Sequence, residues 1–264
     1  MRWFIIVLLA LTLTGAIVLN ASAATQTAEI LYKEGAILYV WAAKGLNLRQ
    51  HPSPSASVIK VLPYGTAITV LNQDEKSVPY DFEFFRRKDT SETLTQISGE
   101  QPNVVLRGQW IKVRDAEQEG YVFDKLLLDI APKNTNEDFK DYLVRVFSLT
   151  NHKKEKKQHK NKEHGKYIAV YTTCTSKENS VVLWTQDIDG DATVRGSGGN
   201  ISIPEFSFEK AFIFFNVIMP ALSDHGFKYK SGREFEYLLD PIGNTALLKK
   251  TKRGVSFEWF FGMN

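Results

Sequence analysis

The stretch of sequence that decides the fold runs from Tyr39 to Leu71 and reads YVWAAKGLNLRQHPSPSASVIKVLPYGTAITVL. Apolar and polar residues alternate in two parts of it, which is the pattern of half-buried β-strands. The apolar positions of that alternation are Leu46, Leu48, Val58 and Val61. Residues 51–57 include two prolines, which deny hydrogen-bond donors to a sheet, and serines that favour turns. They are therefore predicted to form a loop between two strands.

A second stretch continues the same pattern further along the chain. Trp110–Arg114 and Gly120–Phe123 are short apolar runs on either side of an acidic turn at 115–119, and both are predicted to be strands. Residues 72–107 are polar and charged, with few strand signals before Val104. They are predicted to be an insertion between two strands of one small all-β module at 39–130.

These fragments resemble the bacterial SH3-like (SH3b) domain family and occur in that family's order. The matching fragments are LNLR at 46–49, PSPS at 52–55, VIKVL at 58–62, GTAITVL at 65–71, WIKV at 110–113 and GYVF at 120–123. The resemblance implies a small β-barrel that serves as a targeting or peptide-binding module, often in exported proteins of the cell envelope. The insertion at 72–107 and the ending KLLL at 125–128 depart from the family pattern.

On such a barrel, four residues are candidates for ligand binding because they offer stacking and hydrogen-bonding groups: Asn47, Arg49, Trp110 and Tyr121. The alternative is that Trp110 and Tyr121 pack in the core or at a sheet edge, and that Arg49 is a surface charge. For Trp110 packing is the favoured interpretation, because large aromatic rings are mostly buried.

The first residues have the pattern of an export signal. A positive start at Arg2 precedes an apolar run from Trp3 to Leu19, and the small residues ASA follow. This predicts a signal peptide at 1–23, cleaved after Ala23, and a periplasmic or secreted protein. The alternative is an uncleaved membrane anchor, because the apolar run approaches the length that spans a bilayer. Residues 24–38 are predicted to be a short lead-in.

The composition changes at 131–136, where a second domain is predicted to begin and to extend to 264. A helix is expected from Phe139 to about Leu149, capped by Thr135 or Asn136, and a second at 208–222, capped by Ser207. Strand patterns before and after the second helix predict an antiparallel sheet with that helix across one face. The predicted fold class is mainly β with α+β: an N-terminal SH3-like β-barrel followed by an α+β domain.

A lysine-rich segment at 151–166 contains seven Lys, two Glu and three His. It is predicted to be a solvated loop. The alternative is a basic arm that contacts an anionic polymer or partner, which is disfavoured because the segment lacks Arg and aromatic residues. Its histidines do not have metal-ligand spacing, so no metal site is predicted.

The only cysteine, Cys174, excludes an intrachain disulfide. Cys174 and His225 are weak candidates for the nucleophile and base of a cell-wall peptidase. The pair is disfavoured, because Cys174 lies at a predicted strand end rather than at a helix start that would lower its pKa. Asp187–Asp191 is predicted to be a hairpin turn, since its glycine is misplaced for a calcium loop. No cofactor is predicted.

A net charge of +3 on 264 residues does not imply a nucleic-acid partner. The leading hypothesis is an exported, non-catalytic binding protein of the bacterial envelope, whose partner is a peptide, peptidoglycan or a protein. One alternative is the cell-wall peptidase with Cys174 and His225. The other is an inhibitor or immunity-type protein that binds another protein.

Overall fold

The computed structural model describes residues 32–71, 78–85, 104–161, 165–178, 180–189, 195–219, 227–231, 234–238 and 245–263. The predicted signal peptide at 1–23 and most of the lead-in lie outside these residues. Within them the chain is mainly β, with two α-helices and two antiparallel sheets. This confirms the coarse fold prediction of a mainly β chain with α+β character.

The first sheet contains eight strands, all from the N-terminal half of the chain. They are β1 (Ile37–Val40), β2 (Leu46–Arg49), β3 (Val58–Leu62), β4 (Ala67–Val70), β5 (Val78–Phe85), β6 (Val104–Asp115), β7 (Gln118–Phe123) and β8 (Leu127–Leu128). Their order is β3-β2-β7-β6-β4-β1-β8, and β5 pairs with the first half of β6. Among the described residues β3 and β8 do not pair with each other, so the predicted barrel closure is not seen.

The insertion predicted at 72–107 supplies part of this sheet. Val78–Phe85 forms a full strand against the start of β6, although the sequence there carries few strand signals. Tyr80 and Phe82 of that strand each pack against the ring of Phe123, with ring centroids 5.5 and 5.6 Å apart. Packing against the rest of the sheet, rather than local propensity, accounts for this strand.

The predicted strand β3 is present, but the prediction of which of its residues are buried is wrong. Val58 and Val61 are 44% and 54% exposed, whereas Leu62 is fully buried. The reason is the register: Val61 is opposite Asn47 on the outer face of β2, and Leu62 is opposite the buried Leu46. Directly opposed residues share one face of a sheet, so the buried position shifts to Leu62.

The second sheet also contains eight strands. They are β9 (Leu149–Asn161), β10 (Gly165–Ser176), β11 (Val182–Asp189), β12 (Arg195–Pro204), β13 (Phe227–Ser231), β14 (Glu234–Leu238), β15 (Thr245–Lys250) and β16 (Gly254–Met263). Their order is β13-β14-β15-β16-β12-β11-β10-β9, which places β9 at an edge.

Two helices accompany this sheet, α1 (Phe139–Val146) and α2 (Phe208–Ile218). The Ser207 side chain accepts a hydrogen bond from the Lys210 N–H, which confirms the predicted cap. The cap of α1 is Asp138, not Thr135 or Asn136. Phe215 of α2 stacks on Phe257 of β16 with ring centroids 3.9 Å apart, so α2 covers one face of the sheet, as predicted.

Trp41 joins the two sheets into one core. Its ring is fully buried and stacks on Phe214 of α2 at 5.1 Å, and its Nε1 donates a hydrogen bond to the Ile130 carbonyl at 3.0 Å. Tyr142 of α1 packs against the same Phe214 ring, and its hydroxyl donates to the Ala131 carbonyl. Residues 33–264 accordingly form one compact unit. The predicted division into two domains near residue 130 stays a prediction.

Candidate functional site

Three of the four predicted ligand-binding residues lie on the outward face of the first sheet. Arg49 is the cross-strand partner of Tyr121, and Tyr121 is the partner of Lys112 on the next strand. Asn47 precedes Arg49 on the same strand face, and all four side chains are half-exposed. One Arg49 nitrogen donates to the Ala56 carbonyl at 2.6 Å, so this arginine also holds the 51–57 loop. We call Asn47, Arg49, Lys112 and Tyr121 the outer row.

Trp110 does not contribute ligand-binding surface. Its side chain is only 6% exposed, and its ring lies 5.7 Å from Tyr80 and 6.4 Å from Phe123. Tyr80 comes from the strand within the insertion, so the added strand packs beside this tryptophan. The structure therefore supports the packing interpretation of Trp110 and removes it from the candidate binding residues.

Cys174 contacts a different histidine from the one expected. The Sγ atom lies 3.2 Å from Nδ1 of His152, its cross-strand neighbour on β9, whereas His225 lies outside the described residues. Cys174 is 1% exposed, and burial raises the pKa of its thiol, while Lys140 and Lys154 lower it by less. A protonated, buried thiol is a poor nucleophile. This geometry does not favour the peptidase hypothesis.

The lysine-rich segment predicted as a loop is a strand for most of its length. Leu149–Asn161 pairs with β10 over its whole span, with one register shift near Leu149. The prediction was wrong because the segment has no apolar alternation, and all its residues from 150 to 158 are exposed. Pairing with β10 holds the strand in place, and lysines on an edge strand are a common protection against unwanted pairing.

The charge of β9 is strongly positive and lies on both faces of the sheet. The strand carries five lysines and a single acidic residue, Glu155, which pairs with Lys157 at 3.4 Å. Successive side chains of a strand point to opposite faces. Lys153 and Lys157 therefore lie on the face away from the helices, while Lys154, Lys156 and Lys160 lie on the other.

Aromatic rings share this open face of the sheet with Lys153 and Lys157. Tyr171 of β10 is the centre of the group: its ring lies 5.7 Å from Trp184, and its hydroxyl lies 3.0 Å from Nε2 of His159. His159 in turn stacks on Tyr167 at 5.1 Å. The Lys157 ammonium lies 5.5 Å from the centre of the Tyr171 ring, within the range of a cation–π contact.

Phe260 extends this open face across the sheet. It is 42% exposed, and Trp184 is 36% exposed. On the neighbouring strand a Cβ at Gly198 would lie 3.1 Å from Cδ2 of Phe260, and one at Gly196 would lie 3.3 Å from its Cζ. The phenyl ring therefore lies close above two glycines, where an added Cβ would make a tight contact with it.

We call this surface the lysine–aromatic face. Its members are Lys153, Lys157, His159, Tyr167, Tyr171, Trp184 and Phe260. Exposed aromatic rings can stack on flat or apolar groups, and the lysines beside them attract carboxylates, so the arrangement suits binding rather than bond-breaking. Residues 151–166 alone do not reveal this face, because all its aromatic rings except that of His159 are supplied by β10, β11 and β16. The available sequence signal was that Tyr167 and Tyr171 are an even number of residues apart, which places them on one face of a strand.

No three His, Cys, Asp or Glu side chains group closely enough to hold a metal ion in the described part of the chain. Among those same residues, no helix is long and apolar enough to cross a membrane.

Comparison with known proteins gives no match, whether to a family model, a curated protein or a solved structure.

Proposed function

We propose that this protein is an exported, non-catalytic binding protein of the bacterial envelope. Its first sheet is an SH3-like (SH3b) module, and the lysine–aromatic face of its second sheet provides the main contact with an anionic partner. The partner is a peptide, a protein or a cell-wall polymer. The export signal pattern at 1–23 and the ordered SH3b-like fragments at 39–123 support the envelope location.

The observation that carries the proposal is the exposure of aromatic rings next to lysines on an open sheet face. Trp184 and Phe260 are large apolar side chains left in contact with water. Clusters of exposed apolar groups rimmed by polar ones are typical of interaction sites. Tryptophan and tyrosine are enriched among the residues that carry binding energy.

The state of Cys174 supports a non-catalytic role. A catalytic cysteine is normally a partly exposed thiolate in a positive environment. Here the sulfur is buried, its pKa is raised by that burial, and its histidine partner lies on a solvent-exposed edge strand. The outer row on the first sheet is a second contact surface in this proposal. Its contribution to binding is smaller, because Arg49 also holds the 51–57 loop through the Ala56 carbonyl.

Two sets of variants of the full-length chain test which surface binds. Binding is measured with peptidoglycan sacculi by co-sedimentation and with a fluorescent acidic oligopeptide by anisotropy. We expect the combined variant Lys157→Ala, Tyr171→Ala and Trp184→Ala to lose about tenfold or more in affinity for the probe that binds. The matched variant Asn47→Ala and Tyr121→Ala in the outer row is expected to change affinity by less than about threefold.

Several outcomes would overturn the proposal. If neither probe binds the unaltered protein, the lysine–aromatic face is not a binding site for anionic partners. If only the outer-row variant loses affinity, the contact belongs to the first sheet. Export is tested separately, by N-terminal sequencing of the protein recovered from an envelope fraction, which is expected to begin at Ala24.

A further inference from the structure

The outer edge of β9 is long, and the described residues provide no strand beside it. The strand has 13 residues and ends the order of the second sheet. Most strands in globular proteins have roughly 3–10 residues. An edge strand presents alternate backbone N–H and C=O groups to solvent, and these are ready to pair with another extended chain.

The side chains of β9 select which chain can pair there. Five lysines and a single glutamate would repel the same edge of a second copy of this protein. Because the lysines lie on both faces, a strand placed alongside would meet positive charge on each side of the sheet. A strand with carboxylates would meet opposite charges, and opposed charges across strands are stabilising.

We propose that an extended acidic polypeptide segment adds to β9 as a ninth strand of the second sheet. Its backbone would pair with the outer edge of β9, and its carboxylates would reach Lys153 and Lys157 on the open face and Lys154 and Lys156 on the other. In strand addition the backbone provides affinity and alternate side chains provide specificity. This inference rests on the proposed function, because it names the partner's chemistry and its mode of binding.

The lysine–aromatic face adds a second element of recognition beside the new strand. His159 lies on β9 itself, and its ring contacts Tyr167 and Tyr171 on the neighbouring strand. Side chains of an added strand on the open face would lie next to His159 and the lysine stems. An acidic segment with an aromatic or apolar residue among its carboxylates would therefore bind better than a purely acidic one.

The first experiment uses the full chain and a peptide of about 12 residues with alternating Glu and Thr. Amide hydrogen exchange is followed by NMR with and without this peptide. Strand addition is expected to slow exchange about tenfold or more at alternate β9 amides, those that do not already pair with β10. Binding through side chains alone would leave these amides unchanged and would overturn the proposal.

A second measurement asks whether the backbone of the peptide takes part. The same peptide with every backbone nitrogen methylated keeps its carboxylates and hydroxyls but loses all its backbone N–H donors. We expect its affinity to fall by about tenfold or more. Equal affinity of the two peptides would overturn strand addition.

Charge-reversal variants identify the edge. The double variant Lys153→Glu with Lys157→Glu is expected to lower the affinity for the peptide about tenfold. The control is Lys44→Glu, which changes an exposed lysine on the loop before β2 and should have little effect on that affinity. If the peptide binds without slowing the β9 amides, strand addition is wrong and the broader binding function stands. If no anionic probe binds at all, the proposed function fails as well.

Discussion

Replacing Trp41 with alanine tests whether the two sheets unfold as one unit. Trp41 belongs to the N-terminal part of the chain, yet its fully buried ring stacks on Phe214 of α2 and its Nε1 bonds to the Ile130 carbonyl. Truncation of a buried tryptophan typically costs about 3–5 kcal/mol, and an unsatisfied carbonyl adds about 1 kcal/mol. We therefore expect Trp41→Ala to lower the free energy of unfolding by about 4 kcal/mol or more.

The assay is urea unfolding followed by far-UV circular dichroism, together with amide exchange in β2 and β16. If the core is shared, both strands lose protection in Trp41→Ala and the transition stays single. Trp184→Ala is the matched control, because that ring is partly exposed and its loss should cost less than the loss of the fully buried Trp41 ring. Unchanged protection in β16 beside a loss in β2 would refute the reasoning and indicate two independently folding domains.

Three further predictions follow from single contacts. Arg145 holds the pKa of Glu137 at about 2, below its usual 4.5, so this ion pair contributes stability above about pH 4.5 that is lost as the pH falls towards 2. Glu137→Gln should cost about 1 kcal/mol near neutral pH. In urea titrations, the free energy of unfolding of this variant should fall less than that of the native chain between those two pH values. Identical pH profiles of the two proteins would contradict this. Cys174→Ser should leave binding of the acidic peptide unchanged, and native Cys174 should react slowly with a thiol reagent; rapid labelling would show that the thiol is accessible. Gly108→Ala should lower the free energy of unfolding by about 1–3 kcal/mol, because the new Cβ would overlap the buried Asp124 carboxylate. That carboxylate accepts a hydrogen bond from the Gln109 N–H. Thermal unfolding measures the effect, and an unchanged melting temperature would exclude the overlap.

The local predictions that were correct are those in which the chemistry of a residue and its position in an apolar pattern indicate the same structure. Ser207 caps α2 because its hydroxyl accepts a hydrogen bond from the Lys210 N–H. The sequence predicted this cap from two features of one residue: a hydroxyl side chain and a position directly before an apolar helical stripe. Leu46 and Leu48 alternate with polar neighbours and are buried as expected.

The predictions that failed depend on partners outside the segment on which each prediction was based. The lysine-rich strand has no apolar alternation of its own, so only its neighbour β10 reveals that it is a strand. Val58 and Val61 carry the residue types of buried positions, but the register with β2 turns them outward. The lysine–aromatic face combines residues from four strands, and nothing in any single segment shows that their rings lie together.

The stacking of Trp41 on Phe214 also sets the order in which this chain can complete its fold. β1 pairs with β8, so the first sheet needs residues up to Leu128 before its strands are all paired. Until α2 has been made and has docked, the Trp41 ring lacks the Phe214 ring on which it stacks in the folded chain, although Tyr64 already lies 5.7 Å from it. During synthesis the N-terminal segment therefore carries an incompletely buried tryptophan, and transiently exposed apolar surface of this kind promotes aggregation.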